Sequence, residues 1–126
     1  MTENEISKII VDAAIEVHKT LGGCGLLEGV YEEALAWELK SRGLKVERQL
    51  SVPINYKGNI LSNPLRLDLL VEGLVIIEVK AVSQYNEIFE AQVLTYLRLM
   101  NLKLGLVINF GNKYVSKGVH RVVNGL

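Results

Sequence analysis

The chain has 126 residues, 49% of them hydrophobic and 22% charged, with zero formal net charge. That is the profile of one folded domain with a single core, and it excludes a disordered chain. No apolar run approaches the ~20 residues that a membrane-spanning helix needs. Neutrality argues against the strongly basic surface of a dedicated, nonspecific nucleic-acid binder. The charge is nevertheless uneven. Residues 1–90 hold 9 Lys/Arg and 14 Asp/Glu, whereas Arg98, Lys103, Lys113, Lys117 and Arg121 stand in 91–126 with no acid beside them. Any polyanion is expected on that second part. Cys24 is the only cysteine, so there is no intrachain disulfide and no cysteine-built zinc site. With an acidic rather than basic start, MTENEISK, the expectation is a cytoplasmic protein.

The sequence Thr2-Glu3-Asn4-Glu5 has the form of a capping box, and behind it Ile6, Ile9, Ile10, Ala13, Ala14 and Val17 follow helical spacing as far as Gly22. His18 on this helix is expected to be partly exposed, and Cys24 to be an ordinary loop thiol. A second helix is predicted over Leu27–Arg42, burying Val30, Tyr31, Ala34, Leu35 and Leu39, with Gly43 as its stop. Val46, Leu50 and Val52 then alternate with polar residues as a strand does, and Pro53 limits the end of that strand. Lys57-Gly58-Asn59 is a turn. A hairpin follows, bent at Glu72-Gly73, then a third helix over Asn86–Met100 capped by Ser83 or Asn86. Leu104, Leu106, Ile108 and Phe110 make a further strand, and Lys113–Val123 holds one more strand or strand pair. The order is α-α-β-β-β-α-β, an α/β fold with helices packed on a central sheet.

The hairpin raises the main question. LRLDLLVEGLVIIEVKAV, Leu65–Val82, carries Asp68, Glu78 and Lys80 among apolar residues. Burying such groups costs several kcal/mol each unless they are paired or bound to a metal. Glu78 and Lys80 are two apart and share a face of their strand. Asp68 joins them only under one condition. A two-residue loop at Glu72-Gly73 pairs Asp68 with Ile77, and a three-residue loop or a bulge pairs it with Glu78. In the second case two carboxylates offer hard oxygen ligands suited to Mg²⁺ or Mn²⁺, the Val79 carbonyl can add another, and Lys80 can act on a water or a phosphoryl oxygen.

Asp68 followed by Glu78-Val79-Lys80 resembles the signature of the PD-(D/E)xK nucleases, although Leu65-Arg66-Leu67 lacks the proline that names it. Gly25-Leu26-Leu27-Glu28-Gly29-Val30-Tyr31 is similar to the GxxExxY motif of one family in that superfamily, preceded here by a loop one residue longer than expected. Gln92-Val93-Leu94-Thr95-Tyr96 is similar to a QxxxY element. The resemblance implies a restriction-endonuclease-like core spanning residues 1–126 as one domain, with a central mixed sheet flanked by helices. It implies a metal-dependent nuclease using Mg²⁺ or Mn²⁺ and acting on nucleic acid, DNA foremost. Asp68, Glu78 and Val79 would hold the metal, Lys80 would be the catalytic lysine and Glu28 the helix-borne acid, while Gln92 and Tyr96 would face the metal or a phosphate. A homodimer would double the basic surface. The competing reading is a nuclease fold kept as an inactive binding or scaffold module.

Overall fold

A computed structural model describes the whole chain, Met1–Leu126. The capping box forms as the sequence predicts. Thr2 Oγ1 accepts from the Glu5 amide at 3.2 Å and Glu5 Oε1 from the Thr2 amide at 2.9 Å, which starts helix α1 at Glu3–Thr20. Gly22, at φ +93°, ends it, and the Gly23 amide reaches back to the His18 carbonyl at 2.8 Å. Helix α2 covers Glu28–Ser41. Strand β1 is Val46–Val52, followed by a two-residue hairpin, β2 (Asn55–Tyr56) and β3 (Asn59–Ile60), folded about Lys57-Gly58. Strands β4 (Leu65–Val71) and β5 (Val75–Lys80), helix α3 (Ile88–Met100), strand β6 (Leu104–Asn109), a 3-10 turn at Val115–Gly118 and strand β7 (Val119–Val123) complete the chain.

The sheet order is β1-β4-β5-β6-β7, antiparallel except for the β5–β6 pair, so the expected mixed sheet is present. A parallel pair needs a crossover, and α3 supplies it. Helices α1 and α2 cover one face, packing on Leu69, Val71, Val75, Ile77 and Val79. Helix α3 covers the other, where Val93 and Leu97 meet Leu67, Leu70 and Ile76. Close approach of α3 depends on Gly105 in β6, because a Cβ there would lie 2.4 Å from Val93 Cγ1.

Two expectations need correction. Val30 is 42% exposed, half-buried Ala34 packs at the edge of the core, and the inward stripe of α2 is Tyr31, Leu35 and Leu39 with Ala36 beside it. Those three recur every four residues and take the core, whereas Val30 and Ala34 stand one position away, about 100° around the axis. His18 is buried, only 7% exposed. Its Nε2 lies 3.2 Å from the Phe110 carbonyl, just past the end of β6, where no strand neighbour is available to satisfy that oxygen.

Tyr31 joins these parts. Its ring stacks on Phe110 at 4.7 Å and 7°. Its hydroxyl donates to the Gly23 carbonyl at 2.6 Å and accepts from the Leu26 amide at 3.1 Å. The glycine-rich loop is thereby tied to the helix it introduces. Tyr31→Phe keeps the stack and deletes both bonds. It is expected to cost about 1 kcal/mol, read as a lower urea midpoint at unchanged slope, and an unchanged midpoint would show that the loop is not anchored this way.

Candidate functional site

The condition set by the hairpin is met. Val71 pairs with Val75, Leu70 with Ile76 and Leu69 with Ile77, so the connection is the three residues Glu72-Gly73-Leu74. Glu72 and Gly73 take φ +54° and +66°, and the Glu72 carboxylate accepts from the Lys45 amide at 2.6 Å. The register then puts Asp68 level with Glu78. Here the ladder stops and side chains take over: Glu78 Oε2 accepts from the Asp68 amide at 2.9 Å, and Asp68 Oδ2 accepts from the Val79 amide at 2.9 Å. Each carboxylate keeps its second oxygen out of these bonds. Val79 turns its amide toward β4, and in an extended strand its carbonyl turns the same way.

Alternation along β5 sends Val75, Ile77 and Val79 to the α1–α2 side, hence Glu78 and Lys80 to the α3 side. Strand β4 does not alternate throughout. Leu65 and Leu67 face α3, but Leu69 and Val71 face α1 and α2. Strand β1 changes sides at the same level, with Val46 on the helix-pair side and Leu50 and Val52 against α3. The change falls at Asp68 and at Gln49, the two positions missing from an otherwise continuous β1–β4 register. Gln49 has φ +51°. This half-turn of both strands takes Asp68 out of the regular pleat and lets its carboxylate reach the β5 backbone.

Glu32 of α2 explains the distortion. It is 4% exposed, accepts from Arg48 Nε at 2.7 Å, and takes two bonds from Gln49 Nε2 at 2.8 and 2.9 Å. Glu28, one turn earlier, is exposed at the helix start. Both charges are felt at Asp68, that of Glu32 more strongly. Glu32 was not among the sequence candidates, although its position four residues after Glu28 puts it on the same side of the helix.

Lys80 stands beside the two acids, and its Nζ lies 4.5 Å above the ring of Phe89. Phe89 in turn meets Tyr85 edge-on at 5.5 Å, and Tyr85 stacks on His120 at 3.8 Å. The backbone around Lys80 is fixed on the β6 side. The Lys80 carbonyl accepts from the Phe110 amide at 2.8 Å. Buried Asn109 takes the amides of Val82 and Gly111 on Oδ1 and donates through Nδ2 to the Val82 carbonyl and Asn112. Tyr96 of α3 is half-buried, and its hydroxyl pKa is raised by burial and then by the charges of Glu78 and Asp68. Gln92, one turn earlier, is exposed.

Electrostatics give the pair its character. Burial, and then the Asp68 charge, push Glu78 up to about 8. Burial likewise pushes Asp68 up to about 6, against the opposing bond from Val79. Two carboxylates side by side in a poorly hydrated place resist double ionisation, and a cation relieves both penalties. No three acidic, histidine or cysteine side chains close into a ready-made cage. Two carboxylates with free oxygens nonetheless suit a hard dication that keeps several waters. The largest surface groove, about 470 Å³, lies elsewhere, between α1 and α2.

The raised values fix a pH dependence for metal-free protein. Between the ordinary Glu value of 4.5 and about 8 the folded state holds more protons at Glu78 than the unfolded state does. Stability therefore falls as pH rises through this window. Melts in EDTA should show the midpoint dropping from pH 5 to pH 8, and Glu78→Gln, which keeps an acceptor for the Asp68 amide, should remove most of the drop. A flat wild-type profile would contradict the assignment.

A family model described as the PD-(D/E)XK nuclease superfamily matches residues 4–122. No curated protein and no solved structure matches the chain.

Proposed function

Because the chain belongs to the PD-(D/E)XK nuclease superfamily, we propose that it is a Mg²⁺- or Mn²⁺-dependent nuclease, with DNA as its foremost substrate. Within the superfamily, Gly25, Glu28 and Tyr31 favour a place among the GxxExxY proteins. The observation that carries the reading is the Asp68–Glu78 pair: adjacent, largely buried, each held by the other strand's backbone, with Lys80 alongside. A divalent cation bound there would supply a water acidified for attack and positive charge at a phosphoryl oxygen.

The chain's own residues account for the rest. Asp68 and Glu78 are the carboxylates that would hold the ion, with the Val79 carbonyl as a further oxygen. Lys80 would orient the water in line with phosphorus and the departing 3′-oxygen, and its ammonium would neutralise charge developing on the phosphoryl group. Leaving the Phe89 ring for a phosphate costs little, since such a contact at a partly exposed site is worth about 0.5–1 kcal/mol. Glu28 and Glu32 add negative potential behind Asp68, which favours retention of a cation. Tyr96, and Gln92 on the same side of α3, would face the phosphate path. No helix is long and apolar enough to cross a membrane.

Lys80→Ala should lower Mn²⁺-dependent cleavage of plasmid or labelled oligonucleotides by about 10²–10³-fold while thermal melting is unchanged. Calorimetric titration with Mn²⁺ should give saturable heat that Asp68→Asn abolishes. Equal heats in the two proteins would instead support the binding-module reading, as would failure of the wild type to cut any DNA or RNA.

A further inference from the structure

Helix α2 carries two apolar stripes, and the fold uses one. Tyr31, Leu35 and Leu39 enter the core. Val30 and Trp37 lie on the outer side, 42% and 68% exposed, half-buried Ala34 sits between them at the edge of the core, and Leu27, 81% exposed, precedes the first turn. Within the helix Val30, Ala34 and Trp37 are four and three residues apart, the spacing of a seam that a second helix can meet. Next to it Leu21, just past the end of α1, continues the apolar surface, buried Val17 lies beneath, and the two helices border a groove of about 470 Å³. Ala34 keeps its middle open to a larger side chain.

Charge identifies the occupant. The rim carboxylates left without a cationic partner are Glu16 and Glu33, Glu38 being paired with Arg42 at 2.9 Å, and no Lys or Arg lines the groove itself. Such a rim repels a phosphate backbone, so this is not a nucleic-acid surface. A second copy apposed α2 to α2 would set these carboxylates against one another, which costs affinity. We infer that the outer face of α2 with the end of α1 is a docking surface for an amphipathic helix of a partner protein, apolar along one stripe and Lys/Arg-rich at its flanks. An anchor side chain of that helix fills the groove over Ala34 beside Trp37, and its basic flanks meet Glu16 and Glu33. The inference stands apart from the nuclease reading, because none of these residues belongs to the carboxylate site.

Trp37 is the chain's single tryptophan and reports on the groove directly. The probe is a labelled helical peptide roughly five turns long, with Leu at seam positions, Lys on both flanks and no aromatic residue. Binding should shift Trp37 emission to the blue, saturably, and weaken with added salt. Glu16→Lys with Glu33→Lys, both at exposed positions, should weaken label anisotropy binding about tenfold or more with an unchanged circular dichroism spectrum. Trp37→Ala should weaken it likewise. A peptide with Glu in place of Lys, or a scrambled one of equal charge, should not bind. The inference is overturned if the Lys peptide leaves Trp37 emission unmoved or binds the charge-reversed protein equally well. It is also overturned if sedimentation shows a dimer whose Trp37 is already blue-shifted without peptide, since a second copy would then be the occupant.

Discussion

Two carboxylates at one level of neighbouring buried strands are the constraint around which this domain is arranged. A regular antiparallel ladder would leave Asp68 and Glu78 to repel each other in poorly solvated surroundings. Instead the strands part beyond Leu69 and Ile77, and each acid accepts an amide of the opposite strand. Carboxylate oxygens stand in for ladder carbonyls there, so the opening leaves the Asp68 and Val79 amides satisfied. What stays uncompensated is charge. That residue of unfavourable energy marks the place as a candidate site.

The surroundings hold this opening in one geometry. Glu32 captures Gln49 and Arg48 and so maintains the half-turn that frees Asp68 from the pleat. On the far side, Asn109 uses both ends of its amide to lock the chain after Lys80 onto the end of β6. The Tyr31–Phe110 stack, with His18 on the Phe110 carbonyl, ties α1, α2 and β6 together beneath. These supports come from elements distant in sequence, so the carboxylate geometry depends on the whole fold being complete.

Much of this was readable beforehand, because periodicity and turn chemistry act locally. The three helices and the principal strands follow from apolar spacing and from Gly22, Gly43 and Gly73, whereas the mixed sheet is implied by the family resemblance and not by spacing. The meeting of Asp68 with Glu78 does not follow, since one residue of loop length decides it, and Glu72 takes its left-handed φ with both its amide and its carboxylate held by Lys45. Glu32 was hidden because a buried acid looks like any helix-surface glutamate until its partners are known. Val30 reads as inward because an amphipathic pattern assumes one apolar side, and α2 has an apolar residue on its outer side as well. His18 reads as partly exposed because its partner, the Phe110 carbonyl, lies 92 residues away.

The irregularity at Gln49 has a second effect. Strand β1 is an outermost strand of the sheet and, were it straight, would offer a row of unpaired amides and carbonyls as a template for a strand from another molecule. The left-handed backbone at Gln49 breaks that row midway, the charged Glu47 and Arg48 precede the break, and Pro53 follows the strand's last residue. The twist that delivers an acid to the centre of the sheet thus also blunts its margin against aggregation.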